Sequence, residues 1–419
     1  MTYLFRIACR NLTRNKFRTF ISILAIATSV MIVVLARGLL MGFVDSTYSL
    51  YVNNISGHVQ LVARDYQPRR SLLTLEYPVD GFQGGGLTAM VEEIKQLEGV
   101  KQVLPRLQFG AMASPKETVV RMNGIGVDPE AETHHGVITE DIVEGRMVES
   151  GREIVAGRGL LQELGLELGD RVTIVFSDYL YSMRGVTFEI VGVRETGITG
   201  FDDFQFYLPL SEAQQMLYLE DSATEILVMG ESTRTADQLA ARIDGLIAGY
   251  GDEDYYTALT WEQTDPMMQA FQVAENIYDI IYLFFILLGC FVVFNTMMMI
   301  VRDRTEEIGM MGALGLRGKS IMAVFTIEGA IKGVLGSLLG LIPGGVLTYY
   351  LSQVGLDYYD QMLEHMEELV FAPVIYPVFS LENLIFSFVL GAVVTTLACL
   401  WPAVRAARME PVDALHHEM

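Results

Sequence analysis

The chain has 419 residues, of which 51% are hydrophobic, and a formal net charge of −22. The mean hydropathy of +0.34 is typical of a protein that lies partly in lipid and partly in water. The acidic balance argues against a nucleic-acid partner, because phosphate binding needs clustered lysine and arginine, and the three cysteines all lie outside the long polar stretch, which therefore has no disulfide framework.

Four apolar runs dominate the pattern along the chain, one near the N-terminus and three in the last third. Each is about long enough to cross a bilayer, since roughly 20 helical residues at ~1.5 Å each span ~30 Å of hydrocarbon. The stretch between the first two runs is polar and has the residue pattern of a folded soluble domain. The runs are Phe20–Val44, Ile277–Val301, Ile321–Leu351 and Leu384–Val404.

The charges between the runs predict how the chain crosses the membrane. Lysine and arginine precede the first run, lie between the second and third, and follow the fourth, whereas 352–383 contains neither. Basic short loops stay in the cytoplasm, so both termini and 302–319 are predicted inside, and 45–275 outside. The first run is longer than the apolar core of a signal peptide, and we expect it to be a retained anchor.

The predicted fold class is an α-helical membrane domain with four transmembrane helices plus a large mixed α/β outer domain of two subdomains. An even number of spans places both termini of the chain on the same side of the membrane, which agrees with the cytoplasmic location predicted from the basic residues. The predicted segments are a cytoplasmic amphipathic helix (1–19), transmembrane helix 1 (20–44), an outer domain with a helical stalk (45–275), transmembrane helix 2 (277–301), a cytoplasmic loop with a short helix (302–319), transmembrane helix 3 (320–351), an outer loop (352–383), transmembrane helix 4 (384–404) and a cytoplasmic tail (405–419).

The segment before the first run has the pattern of an amphipathic helix, which lies on the inner leaflet or docks on a cytoplasmic partner. Arg37, near the outer end of the first span, is either a polar link between helices or, as we favour, a side chain that reaches the interface. The apolar side of the N-terminal helix consists of Leu4, Phe5, Ala8, Leu12 and Phe17.

The outer stretch alternates between strand and helix patterns, and its middle portion, about 132–208, is predicted to be inserted into the rest. Asp45–Ile55 and Trp261–Asn276 are predicted to extend the first two spans as helices, with Pro266 in the first turn of the second. The predicted strands are His58–Ala63, Thr118–Met122, Ile125–Val127, Arg171–Phe176, Val186–Val193 and Glu225–Val228, and the predicted helices include Leu87–Leu97, Leu210–Tyr218 and Leu239–Ile247.

The sharpest local motif is Arg302–Gly315, between the second and third runs. Its charges come first, and Glu306 and Glu307 fall in the first helical turn, where the helix dipole favours anions. Such a helix fits a groove on a cytoplasmic protein, or it lies at the interface as a loop helix. Its apolar stripe, at i, i+3 and i+6, consists of Ile308, Met311 and Leu314.

Motifs for catalysis and cofactor binding are not recognised. Gly312–Ser320 ends like a phosphate-binding loop, but Ala313 stands where that motif needs glycine. The adjacent pairs His134–His135 and His416–His417 point in different directions and make poor chelates. No serine or cysteine stands in a nucleophile motif, which disfavours an enzyme with its own outer active site.

The third run contains two charged residues one helical turn apart, Glu328 and Lys332. Intramembrane charges point to a functional role, but we favour a mutually paired couple that faces other helices. Glycines at helical spacing on the same helix allow close approach of another span or of a second subunit. They are Gly329, Gly333, Gly336 and Gly340.

The whole chain resembles the FtsX/MacB-like permease subunits of ABC transporters, which have one plus three spans around a large outer domain. The chain departs from the family pattern at Gly312, where many relatives carry a basic residue. Four segments resemble motifs of the family: Arg10–Thr19 its N-terminal basic helix, Gly151–Asp170 a recurrent stretch of the outer domain, Arg304–Gly315 its coupling-helix signature and Trp401–Leu415 its C-terminal signature.

This resemblance implies a MacB-type periplasmic domain, a location in the bacterial inner membrane and a permease dimer above a separate ATPase. It implies that ATP and Mg²⁺ are used by that ATPase, whereas this chain binds no cofactor and catalyses no reaction. ATP-driven motion then passes through the coupling helix and the stalk to the periplasmic domain. The implied coupling residues are Arg304, Glu306, Glu307, Ile308, Gly309, Met311, Leu314 and Gly315.

Among these permeases the chain is most similar to the lipoprotein-releasing, Lol-type branch. A MacB-like exporter of peptides or small molecules, and an FtsX-like transmembrane regulator, stay open as alternatives, and a need for ATP turnover distinguishes a transporter from a sensor. The further implied partners are a second permease subunit (identical or different), membrane lipid, a lipoprotein substrate, and a periplasmic carrier or outer-membrane component. The candidate carrier-binding hairpin is Ser177–Gly185, with Tyr179, Tyr181, Met183 and Arg184.

Overall fold

A computed structural model describes residues 2–14, 16–113, 119–314, 316–357 and 374–409. These residues form two compact units. The helical unit comprises the described parts of 1–44, 273–356 and 374–419, and the α/β unit comprises those of 45–272 and 357–373. The predicted outer loop and the C-terminal signature therefore lie partly outside the described residues.

The secondary structure follows the predicted order of one span, a mixed domain and three spans. The helices are α1 (Thr2–Arg14), α2 (Lys16–Tyr51), α3 (Leu87–Lys95), α4 (Pro129–His135), α5 (Val137–Glu140), α6 (Arg158–Leu164), α7 (Thr199–Asp202), α8 (Leu210–Leu217), α9 (Ala236–Tyr250), α10 (Pro266–Asp303), α11 (Thr305–Ala313), α12 (Gly318–Val354) and α13 (Leu381–Ala407). The strands are β1 (Val59–Ala63), β2 (Gln102–Ala113), β3 (Val120–Val127), β4 (Ile142–Gly145), β5 (Glu153–Gly157), β6 (Arg171–Ser177), β7 (Met183–Arg194), β8 (Gln205–Pro209), β9 (Glu225–Met229), β10 (Tyr256–Thr260), β11 (Leu356–Asp357) and β12 (Val374–Ile375).

Among the described residues, four helices are long and apolar enough to cross a membrane: α2, α10, α12 and α13. After α2 the chain continues as a π-helical segment, Val52–Ser56. The prediction that the stalk helix begins at Trp261 is wrong, because 261–265 forms turns and α10 begins at Pro266. Proline is tolerated at this position, since the first amides of a helix have no intrahelical acceptor.

Glycines on α12 determine how the helical unit packs. A Cβ at Gly333 would lie 3.1 Å from Cβ of Thr395 on α13, and one at Gly336 would lie 2.6 Å from Cβ of Ile26 on α2. Small residues let helices approach this closely. The glycine face predicted on α12 therefore lies against other spans of the same chain. The other two close approaches are Gly329 to Cys399 and Gly340 to Ala27.

A single mixed sheet forms most of the α/β unit, in the order β10-β1-β9-β2-β3-β8-β5-β7-β4, and β6 pairs with both β2 and β7. The strands from outside the predicted insertion occupy one end, and β8, β5, β7 and β4 from 132–208 occupy the other. The two parts join at the parallel pair of β3 and β8 and at the antiparallel pair of β2 and β6. The insertion is therefore visible in the strand order, although both parts share one sheet.

Aromatic rings fill the core where the two parts of the sheet meet. Phe109 packs edge-on against Phe176 at 5.8 Å and against Phe206 at 5.9 Å. Gly124 makes room for these rings, because a Cβ there would lie 2.6 Å from Cζ of Phe206. The two short strands predicted within 118–127 are, over the described residues, the single strand β3, which runs through this glycine.

Candidate functional site

The predicted coupling segment folds as a separate helix directly after α10. Arg304 leaves the helical conformation (φ −111°, ψ 18°), and α11 begins at Thr305. Thr305 Oγ1 donates a hydrogen bond to the Arg302 carbonyl at 2.8 Å, which satisfies one of the last acceptors of α10. Glu306 and Glu307 stand in the first turn of α11, where the helix dipole favours negative charge.

The apolar stripe of α11 is divided between the interior and the surface. Ile308 is 2% exposed and Gly309 is buried, whereas Leu314 is 84% exposed. Met311 is half-buried against the core of the helical unit, and the neighbouring Met310 is exposed. The three stripe residues thus do not share one exposed face: Ile308 holds α11 in place, and the surface open to a partner is centred on Leu314.

Arg304 stands at the start of α11 and is buried. Its Nε and Nη2 have no hydrogen-bond partner within the described part of the chain. Buried guanidinium nitrogens without acceptors are costly, so the Nε and Nη2 of Arg304 are suited to receive a carboxylate or carbonyl from elsewhere. Of the other predicted coupling residues, Glu306 is exposed and Gly315 lies outside the described residues.

Two ion pairs connect the basic N-terminal helices to this region. Arg14 at the end of α1 pairs with Glu307 of α11, and Arg18 of α2 pairs with Asp303 at the end of α10. The hydrogen bond with Glu307 raises the pKa of Arg14. Both pairs are partly exposed, and solvent screens such pairs strongly, so they orient α1 rather than hold the fold.

The two charges within the third span form a buried pair. Lys332 Nζ lies 3.0 Å from Glu328 Oε1 and 3.2 Å from Sδ of Met297 on α10. Asn11 Nδ2 of α1 lies 3.5 Å from Glu328 Oε2. The pair therefore joins α12 to α10 and α1, as expected of charges that face other helices rather than lipid.

The predicted carrier-binding hairpin is formed by β6 and β7. Both strands are longer than predicted, so the loop between them is confined to 178–182. Tyr181 is 71% exposed and has φ 59°, a conformation that costs a non-glycine residue about 1–3 kcal/mol. Tyr179, Leu180 and Met183 are exposed as well, and Leu180 was not singled out from the sequence.

Arg184 differs from the other hairpin residues because it already has partners. Its Nε donates to Asp178 Oδ2 at 2.7 Å, and its guanidinium lies 4.5 Å from the centre of the Tyr218 ring. Asp178 also accepts the amides of Leu180 and Ser182. Arg184 thus fixes the shape of the loop, and the exposed side chains are left for contact.

A cavity of about 530 Å³ lies beside the hairpin loop. Its other wall is the segment 69–76, which no pattern in the sequence indicates as part of a binding site. The hydroxyl of Tyr181 donates to the Glu76 carboxylate, and Leu73, Phe109 and Tyr179 contribute apolar lining. The volume falls in the range of small-molecule pockets, about 300–1,000 Å³.

One histidine of the pair in the α/β unit, His135, makes structural contacts. His135 Nδ1 lies 3.0 Å from Gln102 Oε1, and Nε2 lies 3.2 Å from the Asn53 carbonyl. Within the described ranges no group of three or more His, Cys, Asp or Glu side chains has the geometry to hold a metal ion. The pair His416–His417 lies outside those ranges.

Two family models match the chain. The model described as FtsX-like permease C-terminal matches residues 280–411, and the model described as MacB-like periplasmic core domain matches residues 19–246, more than half of the chain. The first match covers α11 with the three C-terminal spans, and the second covers α2 with most of the α/β unit.

Individual relatives are more distant. The chain is 25% identical over 316 residues to the "Lipoprotein-releasing system transmembrane protein LolC" of Xylella fastidiosa, covering 70% of this chain and 72% of that one. It is 24% identical to the "Uncharacterized ABC transporter permease YknZ" of Bacillus subtilis, covering 99% and 98%. The crystal structure of the periplasmic region of MacB from Actinobacillus actinomycetemcomitans matches 54% of this chain and 96% of its own, with 13% identity and a TM-score of 0.34.

The family resemblance predicted from the sequence is therefore confirmed, together with the four-span, mixed α/β fold class. Membership of an ABC permease family implies an ATPase partner and a permease dimer. The chain belongs to the family of FtsX-like ABC transporter permeases that carry a MacB-like periplasmic core domain.

Proposed function

We propose that this chain transmits the ATP-driven motion of a separate ATPase to its own periplasmic α/β unit, and that it serves the release of lipoproteins from the inner membrane. It lies in the bacterial inner membrane with both termini in the cytoplasm, and it forms a dimer with a second permease subunit. ATP and Mg²⁺ are bound by the ATPase, and this chain catalyses no reaction itself.

The observation that carries this proposal is the geometry of α11. Buried Ile308 anchors the helix, exposed Leu314 offers an apolar contact, and Glu307 is paired with α1. A partner that displaces α11 therefore also acts on α1 through this pair, and Asp303 of α10, directly before α11, is paired with Arg18 at the start of α2. This arrangement suits a helix that converts the movement of a docked protein into movement of the first span.

Substituting the exposed residue tests this assignment without disturbing the core. Leu314→Asp is expected to lower the amount of ATPase that co-purifies with the permease at least about tenfold, equivalent to ~1.4 kcal/mol, because a charge enters an apolar contact. Leu314→Met keeps an apolar side chain and serves as the matched control. If Leu314→Asp binds the ATPase as well as the control does, α11 is not the docking helix.

Lipoprotein release is proposed because relatives named as lipoprotein-releasing proteins align over about 70% of the chain. The exposed loop 178–182 and the cavity beside it offer a surface for a lipoprotein or for a carrier that receives it. Release of an acylated protein from proteoliposomes, compared with the same protein without its acyl chains, tests this substrate class. ATP-dependent movement of an unacylated peptide or small molecule instead would favour export.

The hairpin loop is expected to contribute to release and little to folding. Leu180→Asp should leave the melting temperature nearly unchanged, since exposed substitutions usually change stability by less than about 0.5 kcal/mol, but should reduce lipoprotein release. Tyr181→Phe keeps the ring and removes only the hydroxyl that contacts Glu76. Release at the wild-type rate by Leu180→Asp would remove the hairpin from the mechanism.

A further inference from the structure

The chain leaves α2 through the π-helical segment Val52–Ser56, which lies in the α/β unit. The amide of Gly57 donates to the Val52 carbonyl at 2.9 Å, the i to i−5 bond of such a turn. π-Helical turns are rare and stand frequently at functional sites. The last carbonyls of this helix need hydrogen-bond donors from other elements, as at any helix C-terminus.

Three consecutive carbonyls of the segment accept hydrogen bonds from side chains of other elements. The C-terminal end of a helix carries partial negative charge and therefore favours cationic donors. The histidine donates through Nε2, because a carbonyl can only accept. The pairs are Asn53 with His135 Nε2 at 3.2 Å, Asn54 with Arg106, and Ile55 with Arg70 Nη2 at 3.3 Å.

Asn54 is held through its side chain as well as its backbone. Its carbonyl accepts from Arg106 of β2, and its Oδ1 accepts from Arg194 Nη2 of β7 at 2.6 Å. Its Nδ2 donates to the Leu50 carbonyl, in the last turn of α2, at 3.1 Å. Hydrogen bonds from charged donors are stronger than neutral ones, and burial strengthens them further.

Acidic partners from elsewhere in the α/β unit hold the two arginines beside Asn54. Arg106 Nε donates to Glu132 Oε1 of α4 at 2.8 Å. Arg194 Nη2 donates to Asp141 Oδ2 at 2.7 Å. Arg106 is 1% and Arg194 2% exposed. Burial opposes the charge on Arg106, but the carboxylate of Glu132 outweighs it, so that the pKa of Arg106 is raised.

The two arginines belong to different parts of the sheet: β2 lies in the part built from outside 132–208, and β7 lies in the inserted part. We infer that Asn54 is a positioning residue that delivers a displacement of α2 to both parts of the sheet at once. This inference rests on the proposed function, because it names the residue at which the α/β unit receives the motion.

The test uses the full-length chain in complex with its ATPase, with and without a non-hydrolysable ATP analogue, and measures amide hydrogen exchange. The variants are Asn54→Ala and Asn54→Leu, both of which remove the side-chain acceptor for Arg194. Asn54→Leu does so while keeping a side chain of similar volume. Asn54→Asp keeps an acceptor oxygen. Asn53→Ala is the matched control, since that side chain is held only locally, with Nδ2 3.4 Å from Ser49 Oγ.

The analogue is expected to change amide hydrogen exchange in β4 and β7 in three proteins: the wild type, Asn53→Ala and Asn54→Asp. In Asn54→Ala and Asn54→Leu this change should fall at least about fivefold, the lower end of typical coupling, while ATP hydrolysis is unchanged. A full nucleotide response in either variant, or an equal loss in Asn53→Ala, would overturn the inference and leave the proposed function standing. A wild-type complex without any nucleotide response would overturn the proposed function itself, and this inference with it.

Discussion

Glu132→Leu is expected to lower the free energy of unfolding of the α/β unit by about 3–5 kcal/mol, because it leaves the buried cation of Arg106 without its carboxylate. Arg106 and Glu132 are each 1% exposed and are joined through Nε and Oε1 at 2.8 Å. Water cannot replace the lost partner at such a depth. The measurement is urea unfolding of the full-length protein, followed by the fluorescence of Trp261 in a Trp401→Phe background.

Two further variants separate the charge from the packing. Glu130→Leu, on the exposed side of the same helix, should change stability by less than about 1 kcal/mol, the size of a charge effect in a first helical turn. Arg106→Met combined with Glu132→Leu should regain much of the loss, because apolar replacements of a whole buried pair are often neutral. A double variant as unstable as Glu132→Leu alone would show that the pair is needed for its contacts rather than for charge balance.

Gly340→Ala is expected to destabilise the helical unit by about 1–3 kcal/mol, the usual cost of overpacking. A Cβ at this position would lie 3.0 Å from both the carbonyl carbon and Cα of Ala27 on α2. These are backbone atoms, which cannot rotate away as a side chain can, so α12 and α2 must separate. The shift in melting temperature of the detergent-solubilised protein measures the effect.

Gly345 on the same helix provides the matched control for that substitution. A Cβ there would lie 3.4 Å from Cδ2 of Leu384, an ordinary contact with a movable side chain. Gly345→Ala should therefore be neutral or stabilising, since alanine is favoured over glycine in a helix by about 1 kcal/mol. Equal melting temperatures for Gly340→Ala and Gly345→Ala would mean that α12 does not pack closely on α2.

The spans and the inserted middle portion could be predicted from the sequence because their signals are local. About 20 apolar residues define a span, and strand alternation bounded by glycine defines most outer strands. β2 was missed because buried Arg106 and Gln108 interrupt its apolar pattern. Their partners Glu132 and Glu225 come from other elements, and no local pattern indicates them.

The candidate sites were predictable only in part, for the same reason. The position of α11 follows from its charge pattern, but the burial of Ile308 depends on packing against other helices. Asn54 meets Arg106 and Arg194 across 52 and 140 residues of sequence. Contacts over such separations are fixed by the sheet order, and the sequence of a single chain does not reveal them.

Whether nucleotide bound on the ATPase alters the periplasmic unit of the permease is the most direct test of the proposed function. The measurement compares amide hydrogen exchange across 45–272 in the full complex, with and without a non-hydrolysable ATP analogue. Transmission through α11 and α2 predicts a nucleotide-dependent change in this unit, and its loss when Leu314→Asp uncouples the ATPase. Identical exchange with and without nucleotide, in a complex that hydrolyses ATP, would contradict the account.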